Sequence, residues 1–390
     1  MLSPARLSQA LEAHRPHLRA ALSERRGKIA AAAQALARLA DLGLEDVYEA
    51  LREQQSPGAL PTAEHDRHPA QVVPFPHSFD GHRPARRWAA RTLAGQTTVA
   101  VDGSQLSLAD DLDPPIAAAQ VGWFINPHLP PARHEKDVHL EILTDDEAGE
   151  RVEVRRFELE VERLLDFMRR LSSQRPAPVC FVDDPLVIPF AAERGPGRAA
   201  AYMAGMSALL EASETLRVPL VGYTADPSAR DLGWMLHALG LLPEPPRTPD
   251  ASGLAPLLEH WGDRSCLYLC ARRSPHLQEY RRADGSSLAD QIAFCYLRVS
   301  GTGRPARLEV PRWLAESPTE LDRVLDIVRA ECIAGLGYPY ALEAAHDAAV
   351  ISAGDRARFA RAFAGLCSDL GLPLSATTKA ESKRRRSRGA

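Results

Sequence analysis

The sequence predicts an α/β fold: a mixed sheet flanked by helices, with a helical extension at the N-terminus. Two observations carry this. TTVAVDGSQLS, IAAAQVGWFINP and VHLEILTDD follow one another as three strand signals with no helix between them, the pattern of an antiparallel meander. RRFELEVERLLDFMRRL then places apolar residues at 157, 161, 164, 165, 168 and 171, one face of a helix, and beyond it strands and helices alternate. The 390 residues, 45% hydrophobic and 25% charged, suit one large domain with additions or two domains, and exclude a collagenous or wholly disordered chain.

Taken in order, the stripe begins at Leu11 and continues through Leu18, Leu22, Ile29, Leu36 and Leu39 as an N-terminal helical segment, residues 1–53. Pro16 is expected to end a short first helix or to start the next. The stripe suits packing on the chain's own core or contact with a partner helix. Six prolines between Pro57 and Pro84 mark residues 54–94 as a linker or extended arm. The main domain is expected over 95–372. After its first helix come the strand VCFVDDPLVIPF, a helix from about Arg198 to Leu216, the strand VPLVGYT and the helix DPSARDLGWMLHALG. Strands are read at 265–272, 293–299 and 306–311, the last two as a hairpin through GTGRP, then helices at 317–334 and 341–370. The tail, 373–390, is polar and basic and is expected to be disordered, with Lys383 to Arg388 adding weak affinity for DNA or an acidic surface.

The net charge of −4 does not exclude a nucleic-acid partner, because a local basic groove is what DNA senses. Of 47 basic residues 43 are arginine, a bias that genome composition explains as readily as phosphate recognition. The six scattered cysteines form no CxxC pair and read as small buried hydrophobes. The longest largely apolar run, Ile116 to Ile125, is half the ~20 residues a membrane span needs. The start of the sequence lacks the pattern of a secretory signal, so a cytoplasmic protein is expected.

Three strands followed by alternating helices and strands is the ribonuclease H-like layout, in which nucleases place carboxylates on the first strand, the first helix and the fourth strand. Acids stand at all three places. Asp102 ends the first strand signal, Glu158 and Glu160 lie on the helix, and Asp183 with Asp184 end the fourth strand. Carboxylates gathered at a sheet edge repel unless cations neutralise them, and oxygen-only ligands suit magnesium or manganese. Periodicity does not select the helix acid. The surrounding Arg-Arg-Phe-Glu favours Glu158, with Glu160 close behind. Taken alone, Asp-Gly-Ser is a common turn, and His346 on an apolar helix reads as a core histidine.

At these residues the chain resembles the NurA family of DNA-repair nucleases. Val101, Asp102, Gly103 and Ser104 match the family's opening motif, and Val182, Asp183, Asp184, Pro185 and Leu186 occupy its second. There Asp183 aligns with the metal-binding aspartate, while Asp184 replaces a glycine and Pro185 a serine. GYPYALEAAHDAAVIS matches a third segment, with Tyr338 and His346 at the functional positions, and ARLEVPRWL resembles the family's late strand. Many relatives carry a lysine where this chain has Ala225, which leaves phosphate contact to another residue such as Arg230.

The resemblance implies a Mn2+- or Mg2+-dependent deoxyribonuclease, a 5′-to-3′ exonuclease with room for single-strand endonuclease activity, acting in end resection. Asp102, Glu158 or Glu160, Asp183 and His346 would hold a pair of ions, with Tyr338 beside them. A HerA-type hexameric ATPase and a homodimer are the implied partners. The chain has no GxxxxGK[ST] loop of its own, consistent with a motor in trans. Two rivals stand beside this reading: a noncatalytic DNA-binding adaptor of the same fold, and an actin-like sugar kinase.

Overall fold

The computed structural model describes residues 3–108, 111–131, 133–145, 147–188, 196–272, 279–301 and 303–376. Along the chain run α1 (Pro4–Arg38), α2 (Leu44–Leu51), β1 (Gly58–Pro61), α3 (Glu64–Arg67), β2 (Val72–Val73) and α4 (His82–Leu93). Next come β3 (Thr98–Ser107), β4 (Leu112–Asp113), β5 (Ala117–Asn126), β6 (Glu135–Leu143), α5 (Ala148–Leu171), β7 (Val179–Val182), α6 (Pro196–Leu216) and β8 (Leu220–Thr224). Then follow α7 (Asp231–Ala238), α8 (Asp250–Leu254), β9 (Arg264–Ser265), β10 (Tyr268–Ala271), β11 (Ile292–Leu297) and β12 (Ala306–Pro311). The last elements are α9 (Arg312–Ala315), α10 (Pro318–Ala334), α11 (Tyr340–Ala349), α12 (Ala353–Asp369) and β13 (Ser375–Ala376).

These elements form two compact units. One comprises Met1–Ser78, Thr224–Ser274 and Ala293–Leu308; the other comprises Phe79–Tyr223, Pro275–Ile292 and Glu309–Ala390. In the second unit the strands lie in the order β8-β7-β3-β5-β6. β3, β5 and β6 are the antiparallel meander the sequence predicts, and β7 and β8 add in parallel. That is the ribonuclease H-like arrangement. β7 is almost uniformly apolar, as a parallel strand covered on both faces must be. α5 turns Phe157, Val161, Leu164 and Met168 inward, the face read from the sequence. Trp123 is core: its ring packs against Phe167 at 5.8 Å and under the Arg163 guanidinium at 4.5 Å.

In the first unit β1, β10, β11 and β12 lie side by side, and β2 pairs with β9. α1 runs unbroken through Pro16, against the expectation of a break there. Proline removes one helical hydrogen bond, and the good helix formers on either side outweigh that loss. The stripe divides in two. Leu36 and Leu39 are buried, whereas Leu11, Leu18 and Leu22 are exposed.

Residues 54–94 are not an extended arm. Their prolines separate short elements that pair with strands far along the chain, β1 with β10 and β2 with β9. The helix expected over 341–370 is two, because Ser352 caps a new one by accepting from the Asp355 N–H at 3.1 Å. At the tail, Ser375 and Ala376 pair with β4, and Lys383 to Arg388 lie outside the described residues. All six cysteines are buried. No described helix is long and apolar enough to cross a membrane.

Candidate active site

Parallel register brings the first two acids together. β7 pairs Val179, Cys180 and Phe181 with Thr98, Val99 and Ala100 of β3, and carrying that register on by two residues sets Asp183 level with Asp102. β3 does not end at Asp102. It continues to Ser107 with β5 as its partner, so Asp102 stands where β3 has just lost β7 as a neighbour. β7 stops at Val182, and the chain bends at Asp183 and Asp184. The bend is held from behind. The Val187 N–H donates to Glu309 at 3.0 Å, and the Tyr280 hydroxyl donates to the Leu186 carbonyl at 3.0 Å.

The helix acid at this edge is Glu160, not Glu158. Residues two apart on a helix face roughly opposite ways. Glu160 is 18% exposed and turns toward β3, while Glu158 is 42% exposed and pairs with Arg155 on the face that also holds Glu141. Asp102, Glu160, Asp183 and Asp184 line a cavity of about 40 Å³, with Arg156 as the one cation among its described lining residues. That volume suits a water molecule or an ion, not a base.

Gly103 makes the approach of α5 possible. A Cβ there would collide with the Glu160 carboxylate and stand 2.7 Å from Cγ of Arg156. Ser104, the next residue, acts on the opposite face of the sheet. Its hydroxyl donates to the Ala349 carbonyl at the end of α11, and Gln120 donates to the same oxygen at 2.9 Å. At the other end of α11, buried Glu331 accepts from the Ala341 N–H at 2.8 Å and from Thr98 at 3.0 Å. Gly122 lets the helix lie on β5, since a Cβ there would meet the Ala349 nitrogen at 2.6 Å.

This anchoring places His346 over Asp102, its Nδ1 2.7 Å from Oδ2. The imidazole is 63% exposed, so it is not the core histidine that its apolar neighbours suggest. Tyr338 lies between α10 and α11 and donates a hydrogen bond to Asp183; its ring meets Tyr223 edge-on at 5.3 Å. Asp102, Glu160, Asp183, Tyr338 and His346 thus converge, and Glu158 stands apart.

Burial dominates the electrostatics. It pushes the Glu160 carboxyl up to about 8; Arg156 pulls against this, and the charges of Asp102 and Asp184 add to it. Asp184 is pushed up to about 6 by burial first and by Asp183 second. Asp183 is raised by burial, with the Tyr338 hydrogen bond opposing. Four carboxylates facing one guanidinium are the environment in which a divalent cation is favoured, and their oxygens suit a hard ion. As they stand, no three His, Cys, Asp or Glu side chains among the described residues are grouped to hold an ion. The donor chemistry fits, and Glu160 is paired with Arg156.

The NurA domain family matches residues 96–351. The chain belongs to the NurA family. NurA membership makes it a nuclease, and the matched span contains every residue of the cavity. Among solved structures, the NurA nuclease from Sulfolobus solfataricus is 14% identical, covering 70% of this chain and 85% of its own at a TM-score of 0.47. A NurA solved with manganese is 11% identical, with 70% and 89% covered and a TM-score of 0.43. The catalytic domain of human Endonuclease V is 17% identical, with 80% and 96% covered and a TM-score of 0.33. No curated protein matches the chain.

Against the NurA motifs, Asp184 adds a carboxylate where a glycine is usual, and sequence reasoning missed it as a site residue along with Arg156. Two consecutive acids at a strand end, and an Arg four residues before Glu160, were the available signals. Arg230 is committed elsewhere: it donates to the Pro246 carbonyl at 3.2 Å. Gly103→Ala is expected to force α5 away from β3 and to lower cleavage by roughly 10²-fold, since small misplacements of catalytic groups are costly. Turnover on linear DNA measures this, and unchanged turnover would show that the close approach is dispensable.

Proposed function

We propose that this chain is a divalent-metal-dependent deoxyribonuclease, a 5′-to-3′ exonuclease with room for single-strand endonuclease activity. In this reading it acts in the cytoplasm on DNA ends, in end resection and double-strand break repair, with a HerA-type translocase. The single observation that carries the hydrolytic reading is the convergence of Asp102, Glu160, Asp183 and Asp184 on one ion-sized cavity in a NurA-family chain.

Asp102, Glu160 and Asp183 are the residues that would hold Mn2+ or Mg2+, as a pair of ions, with Asp184 as an added ligand. Such ions supply charge stabilisation and an acidified water. The chain's own groups do the rest. Asp102 fixes the His346 ring through Nδ1, which leaves Nε2, on an exposed imidazole, to take a proton from a water or to meet the second ion. The Tyr338 hydroxyl holds Asp183 in place and keeps its own proton, because burial and the neighbouring aspartate raise its pKa.

The test is release of nucleotides from linear DNA by the full chain. Manganese is expected to stimulate it, chelator to abolish it, and end-labelled substrates to show loss from the 5′ end first. A folded chain that binds DNA without cleaving it would favour the adaptor, and ATP-dependent sugar phosphorylation would favour the kinase.

The reading includes a homodimer and contact with the motor, and the exposed half of the α1 stripe is the surface assigned to it. Leu18 and Leu22 are 48% and 58% exposed, so a charge at either costs the fold little. Leu18→Glu with Leu22→Glu is expected to shift the chain to monomer in light scattering while leaving its melting temperature within a few degrees. Loss of the cooperative melt would instead make the stripe part of the core.

A further inference from the structure

The cation in the cavity has no role in the reading above. Arg156 lies one turn before Glu160 on α5, and its guanidinium pairs with the Glu160 carboxylate. Two further acceptors hold it against β3: the Gln105 side chain, 3.1 Å from Nε, and the Gly103 carbonyl, 3.5 Å from a terminal nitrogen. Both belong to the strand that carries Asp102. Glu160 is therefore engaged by a positive charge of the protein's own, at the edge of a space whose other charged lining residues are all carboxylates.

We propose that Arg156 is the resident counter-ion of Glu160, and that the two part company when Glu160 takes up a divalent cation. The proposal rests on the nuclease reading above. A carboxylate oxygen in a bidentate or bridging role to an ion cannot also be fully committed to a guanidinium, and like charges keep Arg156 and an arriving cation apart. The exchange has a low structural cost because Gln105 and the Gly103 carbonyl still receive the guanidinium after Glu160 leaves. In the absence of cation the pair offsets part of the repulsion among the four acids. In its presence Arg156 is released at the rim of the site. Arg156 thus sets the cation affinity of the site and holds α5 against β3 while no ion is bound.

The experiment is calorimetric titration of Mn2+ into the full chain, with melting temperature measured in chelator and in Mn2+. Arg156→Gln is expected to tighten Mn2+ binding by roughly tenfold or more, since it removes an adjacent competing charge. It should also lower the melting temperature in chelator and enlarge the rise on adding Mn2+. Arg155→Gln removes the same charge one residue away, from the face that holds Glu141 and Glu158, and is expected to leave the affinity within about twofold. In a Glu160→Gln background, Arg156→Gln should lose most of its effect, because the partner it competes for is gone. Equal tightening by Arg155→Gln, or an undiminished gain in the Glu160→Gln background, would overturn the exchange and leave the metal site standing. If no chain binds Mn2+, the metal reading itself falls, and the exchange with it.

Discussion

Asparagine in place of Asp102 or Asp183 is expected to lower manganese-stimulated cleavage by orders of magnitude while the chain stays folded. Both substitutions keep size and remove charge. At position 102 the Asn carbonyl still accepts from His346, whose Nδ1 lies 2.7 Å from the aspartate, so the loss reports on the carboxylate charge and not on a displaced ring. At position 183 the sign of the stability change is itself a test. Burial raises the folded pKa of Asp183 above its ordinary value, so its ionisation opposes folding, and stability that is fully present below the unfolded value of about 4 is lost as pH rises from there through the raised folded value. Asp183→Asn is therefore expected to raise the melting temperature in chelator at pH 8, a gain that vanishes below about pH 4. Retained cleavage in both variants would remove the two aspartates from the active site. Glu160→Gln should behave like the aspartate variants, and Glu158→Gln should cleave at close to the wild-type rate.

That last contrast shows where the sequence stops being legible. The meander, the alternation after it and the order of the acids lie in local patterns, and they suffice to bring Asp102 and Asp183 to one edge. Which glutamate joins them depends on the rotation of α5 against β3, and that rotation is not written in α5. It is written in Gly103, on the partner strand, where the missing Cβ makes room for Glu160. Asp-Gly-Ser looks like a turn because turns favour those residues. Here it lies in the middle of β3, and its three residues serve different ends, Asp102 in the cavity, Gly103 under α5 and Ser104 against the end of α11. His346 is ambiguous in sequence for a similar reason. Apolar neighbours describe how α11 packs, whereas the exposure of its histidine follows from anchors at Glu331 and at the Ala349 carbonyl, whose partners Thr98, Ser104 and Gln120 lie more than 200 residues away in the sequence. The prolines of 54–94 mislead because proline marks short elements and linkers alike, and only pairing partners some 200 residues away distinguish them.

The largest effect on stability is expected outside the active site, at Asp231. This residue begins α7 and is almost wholly buried, with two arginines on one carboxylate. A terminal nitrogen of Arg272 lies 2.6 Å from Oδ2, and one of Arg307 lies 2.8 Å from the same oxygen. The Arg307 guanidinium also covers the Phe294 ring at 3.7 Å and donates to the Tyr296 hydroxyl at 3.0 Å. Tyr296 in turn donates to Asp250, whose carboxylate accepts from the N–H groups of Leu232 and Gly233 at the start of α7. The two acids face the two arginines, and Asp231, Asp250 and Arg307 are almost wholly buried while Arg272 is half-buried, so water screens an imbalance poorly. Asp231→Asn leaves one positive charge in excess in this interior, so a loss of about 3–5 kcal/mol is expected in denaturant unfolding, a large part of the ~5–15 kcal/mol that holds a typical domain. The exposed pair of Arg15 with Glu12 supplies the contrast, since Glu12→Gln should change stability by less than about 0.5 kcal/mol. Asp231→Asn combined with Arg307→Met removes opposite charges together and should cost less than the sum of the two single changes, by about 1–3 kcal/mol. Strict additivity would mean that the two side chains stabilise the fold independently, through packing and not as an ion pair.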